Sequence, residues 1–398
     1  MKMNLLSEAG TLQAQLEKDR QWLHSHAEIG FGLVQTKEYV KNRLIEMGYA
    51  PVECGKAGLV VTAGSGDGKT FLLRADMDAL PIREESDVSF ACGTGNMHAC
   101  GHDMHTAMLL GAAQLLKRHE SEIRGTVKLM FQPAEEVFEG SSDMIAGGVL
   151  ENPAVDAAMM IHVLAGMPIP AGTVIVSAPG VSAPAADYFT IRVQGKGCHG
   201  SAPQNGVDAL TAAAHILIAL QELQAREIEA SAGAVLTIGT MQGGTAGNAI
   251  ADSAQMRGTI RTYDEETRAF LKKRLTEISR GIAAAFRAEA TVEFGSGCPT
   301  LVNNQALSDQ VYGILSELLG SDKVSRSPAG ARGGGSEDFA YVSQRVPSLM
   351  LALAAGEPDK GFPYPQHHPK VKFDESVLST GAAVFTGTAI QWLAENKR

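Results

Sequence analysis

Apolar residues cluster in short runs through the first 180 positions: 59–64 (LVVTAG), 71–75 (FLLRA), 126–131 (TVKLMF) and 157–163 (AAMMIHV). Runs of this length, bounded by turn residues, predict strands buried on both faces. Between them lie helical patterns, the clearest at 106–119 (TAMLLGAAQLLKRH), and this alternation predicts an α/β sheet. From about Asp187 the texture changes. A strand (DYFTIRVQG), a helix (VDALTAAAHILIALQELQ), two strands (AVLTIGTMQ, DSAQMRGTIRT), a helix (EETRAFLKKRLTEISRGIAAAFRA) and a last strand (ATVEFG) follow one another. That β-α-β-β-α-β order predicts a ferredoxin-like module. After Gly297 the α/β texture resumes with helices in QALSDQVYGILSELLG and ESVLSTGAAVFTGTAIQWLAENK and a strand at 348–356. The expected organisation is one α/β domain built from 1–184 and 297–398, with an α+β domain inserted at 185–296.

Size agrees with two domains, because 398 residues exceed what one hydrophobic core usually holds. Charge narrows the partners: 34 basic against 44 acidic side chains give −10, without a basic run, which argues against nucleic acid and anionic membrane. The N-terminal stretch reads as an amphipathic helix and lacks the apolar core and cleavage site of a signal peptide. No run approaches 18 uninterrupted apolar residues, so no membrane span is expected. Five scattered cysteines, an odd number, fit free thiols in a reducing cytoplasm better than a disulfide framework.

Candidate chemistry gathers at strand ends, where open α/β sheets bind ligands. The segment 97–105 (MHACGHDMH) holds three histidines, a cysteine and an aspartate. Thiolate, imidazole and carboxylate together suit a divalent transition metal, zinc first and manganese or cobalt where carboxylates share the site. A polar turn with one buried cysteine would also explain the segment. Cys100 and His102, two apart, point the same way if the chain there is extended. Asp76 and Asp78 follow the FLLRA strand, Glu135 and Glu136 follow TVKLMF, and His162 closes AAMMIHV. One of the paired glutamates could bind metal while the other serves as general base. His367 and His368 form a second histidine cluster in a proline-rich loop.

These residues resemble peptidase family M20, the aminoacylase and carboxypeptidase type of dinuclear metallopeptidases. The resemblance is strongest to its amidohydrolase branch of hippurate hydrolases, N-acyl-amino-acid amidohydrolases and auxin-conjugate hydrolases. RADMDALPI, MHACGHDMH, QPAEE, IHV, GKGCHGSAP with VDAL, GTAGNAI with MRGTIRT, GGSEDFA and HHPKVKFDE occur in family order over nearly the whole chain. The resemblance implies a catalytic domain with a mixed sheet flanked by helices and two divalent ions (Zn2+ or Mn2+, with Co2+ or Ni2+ also compatible). It further implies that the inserted domain acts as a lid and a homodimer interface. Carried over by position, the ligands are Cys100, His102, Glu136, His162 and His367, with Cys100 as a bridging thiolate and Glu135 as the base. His199 is implied to reach a partner's active site as an oxyanion donor, and Asn248 to position substrate. The chain departs from the family at Pro203-Gln204, at His24 to Glu28 and at Cys198, departures that bear on substrate preference rather than on the metal set.

The expected reaction is hydrolysis of an N-acyl amino acid. The alternatives are a dipeptidase or carboxypeptidase using the same ions, a thiol hydrolase with Cys100 as nucleophile and His102 as base, and a metal-stabilised binding protein without catalysis. Asp78 is expected to orient a histidine ligand; His98, Asp103 and His105 are expected to support ligands or cap the helix near Thr106. Arg261 and Arg332 are candidates for recognising a substrate carboxylate.

Overall fold

The computed structural model describes residues 4–397. In chain order its strands are β1 Val52–Cys54, β2 Gly58–Gly64, β3 Thr70–Asp76, β4 Thr126–Gln132, β5 Ala157–Leu164, β6 Val174–Val176, β7 Gly180–Ala183, β8 Ala185–Gln194, β9 Cys198–His199, β10 Val235–Gly243, β11 Ala249–Ile250, β12 Ser253–Thr262, β13 Glu289–Cys298, β14 Leu301–Asn303, β15 Val324–Arg326 and β16 Ser348–Ala354. The chain divides into two compact units.

The first unit comprises residues 1–182, 302–331 and 338–398 and holds an eight-stranded sheet in the order β1-β2-β4-β3-β5-β16-β6-β15. It is mixed: β4, β3, β5 and β16 run parallel, whereas β1, β2 and β6 pair antiparallel with their neighbours toward the middle of the sheet. Every residue of β3 and β4 is buried, as apolar runs covered on both faces require. Helices His102–Arg118 and Leu378–Glu395 pack on each other and over β3. The stretch Glu375–Glu395 has the length and hydropathy of a membrane span, yet 72% of its most apolar window is buried within the protein, as a core helix would be.

The second unit, Ala183–Leu301 with Arg332–Glu337, holds an antiparallel sheet in the order β10-β12-β8-β13. Numbered along the chain as first to fourth strand, this is the 2-3-1-4 order of a ferredoxin-like module. Burial alternates along β8, and its inward Phe189, Ile191 and Val193 meet Ile216, Leu220, Leu271 and Leu275 of the helices Ala209–Glu222 and Glu265–Ala285. The unit extends beyond 185–296 to Ala183 and Leu301, and it takes in 332–337, which lie within a stretch expected to belong wholly to the large domain. Tyr263 holds that segment by donating its hydroxyl hydrogen to the Gly333 carbonyl (2.7 Å).

Candidate metal centre

The parallel strands deliver the site. Asp76 ends β3, Glu135 and Glu136 follow β4, His162 lies near the end of β5, and the loop after β16 carries His367. The chain from Cys100 to His102 is not extended, so the condition for the two side chains to point the same way by strand geometry is not met. Gly101 turns the backbone with φ +90°, and the helix begins at His102 rather than near Thr106, so that His102, Asp103 and His105 occupy its buried first turn.

Six of the expected site residues converge. Ligand atoms of Cys100, His102 and His162 lie within 4.8 Å of one another, and so do those of Cys100, Glu136 and His367. Cys100 belongs to both groups. Its Sγ is 3.5 Å from His162 Nε2 and 3.3 Å from His367 Nε2, which is itself 3.6 Å from Glu136 Oε1. Glu135 stands alongside, Oε2 3.9 Å from His102 Nε2, with Oε1 accepting from the Asp338 amide at 3.4 Å.

Hydrogen bonds fix which imidazole nitrogens can bind a cation. His102 Nδ1–H donates to the Asp78 carbonyl (2.7 Å) and His162 Nδ1–H to the Val163 carbonyl (2.8 Å); a carbonyl only accepts, so in the neutral ring that a metal requires each Nε2 carries the lone pair. His102 Nε2 and Glu136 Oε1 are buried without a hydrogen-bond partner among the described residues. Two buried orphan acceptors beside a thiol are costly unless a cation meets them, and the donor set therefore fits a bound metal. His367 adopts a left-handed conformation (φ +65°), which costs a non-glycine residue about 1–2 kcal/mol.

Electrostatics agree. Burial pushes the Cys100 thiol well above its ordinary range, with Glu136 adding to the shift and His102 opposing it. Burial also pushes the Glu136 carboxyl up to about 7, against the charge of His102. His102 is raised: burial, the largest influence, lowers it, but the Asp76 charge and Cys100 outweigh this. A cation would reverse the first two shifts.

Charge at the site is braced from behind. Arg74, buried in β3, donates to Asp76 (2.6 Å), Gln132 (2.8 Å) and Asp338 (3.1 Å). Asp338 also accepts from Gln132 and from the Ser141 amide, tying the GGSEDFA motif to the glutamate loop. These supports escaped sequence reasoning; the one available signal was a charged residue inside an apolar strand. Asp78 orients His102 through its carbonyl, while its carboxylate accepts from the Glu135 and Glu136 amides (3.0 and 3.2 Å). Asp103 pairs with Arg20 (2.7 Å) and His24 (2.8 Å) through one carboxylate oxygen, while the other accepts from the first-turn Met104 amide (2.9 Å). His98 is buried, and burial lowers it to about 3.

His199 and Asn248 lie together in the second unit. Ala249 pairs with His199 between β11 and β9, and the Gly200 amide donates to the Asn248 carbonyl (2.7 Å). Both line a cleft of about 1070 Å3 with Arg192, Gln242 and Gln255. Arg261 and Arg332 stack on Tyr188 and Tyr263.

An α/β sheet whose strand ends gather a thiol, three imidazoles and two glutamates defines a metallohydrolase. Residues 72–391 match peptidase family M20/M25/M40, and the chain belongs to that family. It is 34% identical over 391 residues to the N-acetyl-L-cysteine deacetylase of Bacillus subtilis (97% of this chain, 90% of that protein). It is 37% identical over 380 residues to thermostable carboxypeptidase 2 of Saccharolobus solfataricus (94% of each). The crystal structure of a dinuclear metal-binding peptidase from family M20 of Bacillus subtilis matches with TM-score 0.79 at 30% identity, covering 97% of this chain and 99% of that one. The protein is thus a metal-dependent amidohydrolase or peptidase.

Proposed function

We propose that the protein hydrolyses the amide bond of N-acyl amino acids, with two divalent ions, Zn2+ or Mn2+, held by Cys100, His102 and His162 on one side and by Cys100, Glu136 and His367 on the other. The observation that carries this reading is the pair of ligand groups sharing Cys100 beside Glu135. Bound there, the ions would acidify a water and polarise the acyl oxygen. Glu135 takes the proton of the attacking water and returns it to the leaving amine. Cys100 serves as a ligand rather than a nucleophile, since its buried thiol is held protonated unless a cation binds. His199 of a second copy donates to the developing oxyanion when the inserted domain closes as a lid, and Asn248 positions the substrate. The assembly is a homodimer through that domain. Five cysteines without a disulfide support a cytoplasmic setting.

The deacetylase relative favours N-acyl amino acids. The carboxypeptidase relative supports a second reading, peptide hydrolysis at the same centre. A panel of N-acetyl, N-benzoyl and dipeptide substrates distinguishes them: N-acyl amino acids are expected to be cleaved with the higher kcat/KM, and a preference for dipeptides would reverse the assignment. In the same assay Glu135→Gln should retain metal and lose about 10²–10⁴-fold in kcat. Near-normal turnover would remove Glu135 from its role.

A further inference from the structure

One of the two histidines that face Cys100 through Nε2, His162, and the residue preceding the other, Gln366, are held by one carbonyl. The Val163 carbonyl accepts His162 Nδ1–H at 2.8 Å and the Gln366 side-chain amide at 2.6 Å, while the Val163 amide donates to His105 Nε2 at 2.9 Å. His105 must therefore present Nε2 unprotonated, and its Nδ1–H goes to Asp76 (2.6 Å), which Arg74 anchors. Val163 is thus fixed from below and grips two elements from above.

His367 needs that grip more than the other ligands do. Its side chain is 53% exposed, so packing does not set its position, and its backbone is in a left-handed conformation that an unrestrained loop would leave. Gln366 and His367 are themselves tied by the His367 amide to the Ala99 carbonyl (2.9 Å), next to Cys100, and by Gln366 to Val163; further along, the Pro369 carbonyl accepts from the Glu85 amide (2.8 Å). We propose that Gln366 is a positioning residue for the group formed by Cys100, Glu136 and His367, acting by tethering the His367 loop to the strand end that carries His162. This rests on the two-ion reading above. Its consequence is an asymmetry: losing the tether weakens one ion and leaves the other in place.

The test is titration of the metal-free protein with Co2+, following bound ions by equilibrium dialysis and the thiolate charge-transfer and d–d absorption bands. In Gln366→Met, which keeps length and loses the donor, the first ion is expected to bind as in the parent. The second should weaken about 10–100-fold, the range for removing an outer hydrogen bond to a ligand, with altered d–d bands. The thermal midpoint of the metal-free form should not move, which separates loss of positioning from loss of structure. If Gln366→Met does not fold, Gln366→Glu at pH 8, where the carboxylate cannot donate, carries the same expectation. Two ions bound to Gln366→Met with parental affinity and spectrum would overturn the inference alone. Fewer than two ions in the parent would overturn the two-ion reading beneath it.

Discussion

Glu136 and Cys100 bring to the centre two groups whose buried, metal-free forms are neutral. For Glu136 the folded pKa, about 7, lies above the ordinary carboxyl value of 4.5. The folded state thus binds the proton more tightly than the unfolded chain does. Its contribution to stability is complete below about 4.5 and is lost as pH rises toward 7. His102, also raised, acts in the same direction above its ordinary 6.5. Metal-free protein should therefore lose stability in denaturant melts as pH rises from about 5 to about 7.5. A metal must displace the Cys100 proton, so apparent metal affinity should climb with pH, roughly tenfold per unit for each proton released. Chelator competition at several pH values checks this, and a pH-independent affinity would show that the thiol is not a ligand. The convergence of Cys100, His102, Glu136 and His162 was legible in the sequence because residue types able to bind metal are few and here fall at strand ends or in the dense 97–105 segment. Arg74, Asp338 and Gln366 were not, because a side chain that braces another from a distant segment leaves no local spacing to read.

The elements that carry these residues are set by short-range sterics. The turn at Gly101 shows this most clearly, since it places Cys100 before the helix and His102 within its first turn. Its φ of +90° suits glycine, and a Cβ there would lie 2.4 Å from Val163 Cγ2. Gly101→Ala should cost about 2–4 kcal/mol from backbone strain and overpacking together, measured by urea denaturation of the metal-free protein. Parental stability would mean that the turn tolerates a side chain. The long strands β3, β4, β5 and β16 were readable because short, mostly apolar runs bounded by turn residues have few other uses, even where Arg74 interrupts β3 and Lys128 interrupts β4. Strands β1, β6 and β15, three residues each, were not, since such a length shows no periodicity and depends on the neighbouring strand for its hydrogen bonds. The start of the His102–Arg118 helix was misplaced because His102, Asp103 and His105 look like loop residues. They are buried there for their bonds to Asp78, Arg20 and Asp76 rather than for hydrophobicity.

At the scale of the whole molecule, a discontinuous α/β unit is interrupted in sequence by an inserted ferredoxin-like unit. The change of texture near Asp187 and its return near Gly297 revealed the insertion. The second unit's claim on 332–337 was hidden, because a Gly-rich segment carries no pattern that says which core it follows. The ligands come from stretches as far apart as 100 and 367, so the site exists only in the folded first unit. The central claim is that one cysteine joins two ions there. Elemental analysis of the purified protein and of Cys100→Ala, reconstituted with Zn2+ or Mn2+ and dialysed, measures it directly. Two ions per chain in the parent and loss of both from Cys100→Ala are expected. A single ion in the parent, or two retained in Cys100→Ala, would contradict it.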